Sequence, residues 1–301
     1  MQEWLNVVQN LFFRYADRII PPKWFLPQIP SPDEINSYTG RLSLEIVSHC
    51  WNYSHLLAYN LSSLVNHPPR EVDVTMTVFH SPEDRETVEM LEYFSRFEIP
   101  GVAWNWRALP TDQLLRRAIG RNKAALETKA DWVWYIDCDL IFYRGCLDSL
   151  ASSLQGRKDA LLYPKTEHIT SLLEDENPIL NNGRNPEVID IDPSLFHIRH
   201  IPRAVGAYQI THGDIARACG YCNHIRVYQT PTRHWRKTYE DRTYRWLLRT
   251  QGIAIDIPGI YRIRHISKGR YGKGSLWSKV RSWVRIAGSK LDEKSSKKSI
   301  K

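Results

Sequence analysis

Two carboxylates one residue apart, Asp137 and Asp139, close the apolar run from Asp131 to Ile136 (DWVWYI). Where a backbone leaves a strand, such a pair can face one hard cation directly or through water, and that cation can bridge a nucleotide diphosphate. A run so rich in Trp, Tyr and Ile rarely ends in two acids for solvation alone. Three other groups carry potential chemistry. Glu240-Asp241 opens a helical pattern, where acids in the first turn also offset the helix dipole. His265 sits among Arg262, Arg264, Lys268 and Arg270. Positive neighbours favour its neutral form, the one a metal requires, although a lone His at a basic strand end also suits a surface. The segment Ser48-His49-Cys50-Trp51-Asn52 and the turn Pro82-Glu83-Asp84 follow the first two strands, and such polar turns suit the edge of a nucleotide base as well as solvent. Cys219-Gly-Tyr-Cys222 is a lone CxxC without a second pair, so ordinary thiols are the better reading than zinc.

These residues need elements to position them. From Leu42 the pattern alternates β and α, which predicts a mainly parallel α/β sheet with helices on both faces. Strands are expected at Leu42 to His49, Val72 to Phe79, Val102 to Trp106 and Asp131 to Ile136, with helices at Tyr53 to Val65, Pro82 to Phe97 and Thr111 to Lys129. The Asp-x-Asp pair then lies at the carboxyl end of a strand, where open α/β sheets bind ligands. Residues 165 to 200 are polar and read as long loops over that end. Tyr239 to Arg249 reads as a helix, with short strands at Ile253 to Ile257 and Ile260 to Ile263.

In order and spacing, the helix Arg116-Arg-Ala-Ile-Gly-Arg-Asn122, the apolar strand and Asp-x-Asp resemble the core of nucleotide-sugar glycosyltransferases of the GT-A fold. Val205-Gly206-Ala207, Glu240-Asp241 and Tyr261-Arg-Ile-Arg-His265 follow in the order seen in β-1,4-galactosyltransferases and family 2-like inverting enzymes. The resemblance covers roughly residues 42 to 275. It implies a single Rossmann-like catalytic domain using Mn²⁺ or Mg²⁺ and a UDP-sugar donor. Asp137, Asp139 and His265 would be metal ligands, Asp241 the general base, and Glu240 a residue that bonds the acceptor or orients the site. Gly206 would be the donor-loop glycine. Arg121 and Asn122 resemble the pair that contacts the nucleotide or braces the Asp-x-Asp loop, with His49, Trp51 and Glu83 on the nucleotide side. Two departures stand out. Arg262 replaces a metal-binding Met, so the cation has fewer protein ligands or Arg262 contacts the diphosphate itself. Trp235-Arg-Lys-Thr-Tyr239 replaces Trp-Gly-Gly, so the acceptor pocket is not inherited.

The chain has 301 residues and a net charge of +8. Residues 262 to 301 hold thirteen basic and two acidic residues, a net of +11, while the remainder carries −3. Basicity is thus a C-terminal feature, suited to phosphate in anionic lipid, nucleic acid or a nucleotide. Expected boundaries are an N-terminal helix and Pro-rich connector (1–40), the transferase domain (41–275) and a basic amphipathic helix and tail (276–301). In the first segment Trp4, Leu5, Val8, Leu11, Phe12, Tyr15 and Ile19 follow a 3.6-residue period, as a helix packed on the domain or lying on a membrane or partner would. No spanning run and no secretory signal are read, and five sparse cysteines suit a reducing compartment, so a cytoplasmic enzyme, peripheral at the membrane, is expected. The acceptor stays open between a glycan, a lipid-linked sugar and modified DNA. The rival readings are a retaining transferase, from the glycine- and lysine-rich segment after His265, and a non-catalytic membrane or nucleic-acid module on the same fold.

Overall fold

The computed structural model describes residues 19–233 and 238–266, together with Val8, Phe12, Phe13 and Tyr15. Apolar, β-branched runs make the first strands: β1 (Leu42–His49), β2 (Val72–His80), β3 (Val102–Ala108) and β4 (Trp132–Tyr135). Helices connect them: α1 (Ser54–Asn66), α2 (Arg85–Phe94), and then α3 (Thr111–Leu114) and α4 (Arg117–Glu127). β3, β2, β1 and β4 pair in parallel in that order. β1 is buried along nearly its whole length, as a strand covered on both faces must be. β4 is buried throughout, with both of its indoles inside the sheet, and Trp134 Nε1 donates to the Ala207 carbonyl at 2.9 Å.

Beyond the Asp-x-Asp turn come β5 (Leu140–Phe142), α5 (Cys146–Leu154), β6 (Leu161–Pro164), β7 (Thr166–Thr170), α6 (Pro178–Asn182), β8 (Phe196–His200) and β9 (Gln209–His212). α7 (Gly213–Cys219), α8 (Arg226–Gln229), α9 (Glu240–Leu247), β10 (Ile253–Ile255) and β11 (Ile260–Arg262) complete the order. β9 is antiparallel to β4, giving a seven-stranded sheet in the order β10-β6-β9-β4-β1-β2-β3. A second sheet, β5-β11-β7-β8, lies beyond the carboxyl end of β4. Polar residues of α1 tie it down: Asn60 Nδ2 donates to the Leu140 carbonyl at 2.5 Å, and Ser63 Oγ accepts from Phe142 N at 3.1 Å.

Three expectations change. The single helix over Thr111 to Lys129 is two, because Arg116 leaves helical geometry (φ −106°, ψ 82°), its buried side chain donating to the Thr230 carbonyl. Residues 165 to 200 are not all loop, since β7 and β8 pair there. Their charged residues hide the alternation: Glu167 is fully buried, yet it takes an ion pair from Arg199, another from Arg262 at 3.3 Å and a hydrogen bond from Tyr208. In the N-terminal stripe, Val8, Phe12, Tyr15 and Ile19 are exposed, whereas Phe13, off the stripe, packs on Phe25, Tyr228 and Trp246. Trp4, Leu5, Leu11, Trp235, the segment after Ile266 and the 276–301 tail lie outside the described residues. Among the described residues no helix is long and apolar enough to cross a membrane.

Candidate active site

The parallel strands end at a cleft of about 130 Å³ whose lining includes His49, Trp51, Arg117, Asp137, Asp139 and His265. β1 delivers His49, and the tight approach of α4 fixes it. Gly120 carries no Cβ, and one there would overlap His49 Nε2 and come within 3.0 Å of the Phe79 ring. His49 stacks on Phe79 with ring centres 5.0 Å apart. Burial first, then the nearby charges of Arg121 and Arg117, hold its imidazole well below the ordinary range.

α4 organises the charge. Arg117 and Arg121, four residues apart, share one helix face. Arg117 pairs with Asp137 at 2.5 Å and, through Nε, with Glu240 at 3.2 Å. Arg121 is fully buried and pairs with Asp241 at 2.8 Å, with Asp137 at 3.7 Å. Burial opposes both guanidinium charges, but Asp137 and Glu240 around Arg117, and Tyr221 followed by Asp241 and Asp137 around Arg121, outweigh it and keep both pKa values above the ordinary range. Two arginines therefore gather acids from the end of β4 and the start of α9, over 100 residues apart in sequence.

Asp241 is about a quarter exposed, with Oδ1 held by Arg121 and by the Tyr221 hydroxyl at 3.0 Å. The carboxylate lies beside Gly206, whose φ of +50° favours glycine and whose added Cβ would stand 3.9 Å from Oδ2. Arg121 Nη2 also donates to the Gly206 carbonyl at 3.3 Å, so the glycine turn and the carboxylate share one anchor. Glu240, almost fully buried, has Arg117 as its counter-charge. Arg262, on β11, pairs with Glu167 at 3.3 Å. Burial opposes its charge, but Tyr208, Asp139 and Glu167 keep the guanidinium above its ordinary range.

His265 is buried rather than on the surface, paired by a backbone bridge to Leu173 and packed edge-on to Tyr53 at 5.3 Å. It lines the cleft with Asp137 and Asp139. Two carboxylates and an imidazole suit Mn²⁺ or Mg²⁺ in kind. Among the described residues, however, no group of three or more His, Cys, Asp or Glu side chains is gathered closely enough to hold a metal, and Asp137 is turned to Arg117.

Two sequence candidates lie outside the cleft lining. Glu83 is exposed and accepts from Thr111 at 2.8 Å, tying the β2 turn to α3 outside the cleft. Asn122 faces away from the cleft, accepting from Tyr221 N and donating to Asn223, each at 2.9 Å. Arg117 is the residue that sequence reasoning missed. Its signal was the four-residue spacing to Arg121 in a helix leading to Asp-x-Asp. The five cysteines are all free and buried, Cys219 and Cys222 among them.

The model of the family described as glycosyl transferase family 2 matches residues 46–265. No curated protein sequence matches the chain. Among solved structures, S. aureus TarS 1-349 is similar at 12% identity over 74% of this chain and 60% of that one, with a TM-score of 0.48. The same TarS fragment in complex with UDP-GlcNAc is similar at 11% identity over 76% and 60%, again at 0.48. The mannosyltransferase PcManGT from Pyrobaculum calidifontis, in complex with GDP-Man and Mn²⁺, gives 16% identity over 93% and 72%, at 0.43. The aligned region thus spans about three fifths of the TarS fragment.

Proposed function

The chain belongs to glycosyl transferase family 2, and from that premise we propose that it is an inverting, divalent-cation-dependent enzyme moving a hexose from a UDP-sugar to an acceptor hydroxyl. Membership makes it a nucleotide-sugar transferase of the GT-A fold. The observation that supports the finer reading is the convergence of Asp137, Glu240 and Asp241 on Arg117 and Arg121 beside a cleft at the strand ends.

Asp241 is the base. Arg121 and Tyr221 fix one of its oxygens, so the carboxylate is oriented before it takes the acceptor proton. The acceptor oxygen attacks the anomeric carbon from the face opposite the diphosphate, and one displacement inverts the configuration. Glu240 holds Arg117 at the cleft, and Arg117 and Arg262 present positive charge to the diphosphate. Asp137, Asp139 and His265 would hold Mn²⁺ or Mg²⁺, which when bound offsets charge on the leaving group. His49 and Trp51 line the nucleotide side. In this reading residues 41–275 form the transferase domain between the 1–40 and 276–301 segments, and the enzyme works in the cytoplasm, with the basic tail drawn to anionic lipid or nucleic acid. The acceptor is a glycan, a lipid-linked sugar or modified DNA.

Two measurements test this. Asp139→Ala should abolish Mn²⁺-dependent binding of UDP; unchanged affinity would remove the metal assignment. Product analysis by NMR should find the anomeric configuration opposite to the donor's, and retention would favour the retaining rival.

A further inference from the structure

Nine large apolar side chains are exposed among the described residues, and five of them fall within the first 24 positions: Val8 (43%), Phe12 (44%), Tyr15 (47%), Ile19 (80%) and Trp24 (70%). Isolated exposed apolar residues are ordinary, but a cluster is not. Val8, Phe12 and Tyr15 are helical, and together with Ile19 they have the spacing of one helix face. Phe13 points elsewhere. It is buried against Phe25, Tyr228 and Trp246, and Trp246 Nε1 donates to the Ile20 carbonyl at 3.1 Å. One side of the segment is therefore anchored to the domain, and the apolar stripe faces outward.

We propose that this outward stripe, with Trp24 at its end, is a membrane-docking surface that lies in the interface of an anionic bilayer. Charge complementarity selects that occupant. Arg14, Arg18 and Lys23 interleave with the stripe in sequence against Asp17, a net of +2 over residues 8 to 24, and the whole chain carries +8. Aliphatic and aromatic side chains enter the headgroup boundary while cations stay with lipid phosphate. A duplex nucleic acid would use the cations and leave Ile19 and Phe12 in water. A second copy of this net-positive chain would gain nothing from the flanking charge. The proposal concerns a surface apart from the cleft, so its failure would leave the transferase reading untouched.

The test is flotation of the full chain with phosphatidylcholine vesicles, with and without a one-third share of phosphatidylglycerol. The wild type should float with the anionic vesicles and much less with the neutral ones. The double variant Ile19→Asp, Trp24→Asp should lose that binding by about tenfold or more while keeping its thermal midpoint, its size-exclusion mass and donor hydrolysis. Wild-type chain that stays at the bottom of the gradient, or a folded variant that floats equally well, would overturn the proposal. If the double variant unfolds, Ile19→Ser alone carries the same comparison. A wild-type dimer made monomeric by the substitutions would assign the face to a second copy, and lost duplex DNA binding with unchanged flotation would assign it to nucleic acid.

Discussion

Asp241 shows how little a residue type says before its neighbours are known. As sequence it is an acid in a first helical turn; in the fold it is oriented by a fully buried guanidinium and a tyrosine hydroxyl. Asp137, Asp139 and His265 line one cleft and Arg121 pairs with Asp137 and Asp241, a convergence that order and spacing along the chain suggest. Asn122 lies apart from them, since one residue along a helix turns a side chain by about 100°, here to Tyr221 and Asn223. Glu83 also lies outside the cleft lining, where it accepts from Thr111. Gly120 was silent in the sequence, yet it seats His49 and Phe79 against α4. Gly120→Ala gains about 1 kcal/mol of helix propensity but forces overpacking that typically costs about 1–3 kcal/mol. We expect a net loss of stability in urea denaturation and a raised donor KM. Adding His49→Ala should restore the stability, and no recovery would show that the His49 contact is not the cause.

At the scale of elements, β1 and β4 were readable because burial on both faces leaves long apolar runs, while β2 and the less buried β3 were marked by their apolar and aromatic residues. The second sheet was hidden, since β7 buries Glu167 where an apolar residue would have announced a strand. The break between α3 and α4 was also hidden, because it depends on Arg116 reaching Thr230, 114 positions away. α7 offers a pH test of such local wiring. His212 caps this helix, its Nδ1 accepting from Asp214 N at 3.2 Å while Nε2 faces the Asn36 carbonyl at 3.1 Å. That pattern requires the neutral ring, and burial lowers its pKa below the ordinary value. A His depressed in the folded state binds fewer protons than in the unfolded chain, so its stability is full above pH of about 6.5 and is lost as the pH falls below that. Urea midpoints at neutral and mildly acidic pH should therefore separate more for wild type than for His212→Asn, which keeps a capping acceptor without titrating. Equal separation would contradict this role.

Across the whole molecule, the charged cluster of the site draws on three segments that meet only in the fold: α4, the end of β4 and the start of α9. Helix α4 makes the meeting possible, since its two arginines neutralise carboxylates that would otherwise repel one another in a small, partly dry cleft. Sequence order predicted that meeting, whereas the arginine bridges could be seen only in the assembled chain. The central claim is that this assembly presents Asp241 as the base of a sugar transfer, and the direct measurement compares turnover and donor affinity of wild type and Asp241→Asn with UDP-hexose and Mn²⁺. The amide keeps the shape of the side chain but cannot take the acceptor proton. Donor affinity should be preserved while turnover falls by roughly 10² to 10⁴; turnover within about threefold of wild type, a change far below the share of a positioned base, would contradict the account.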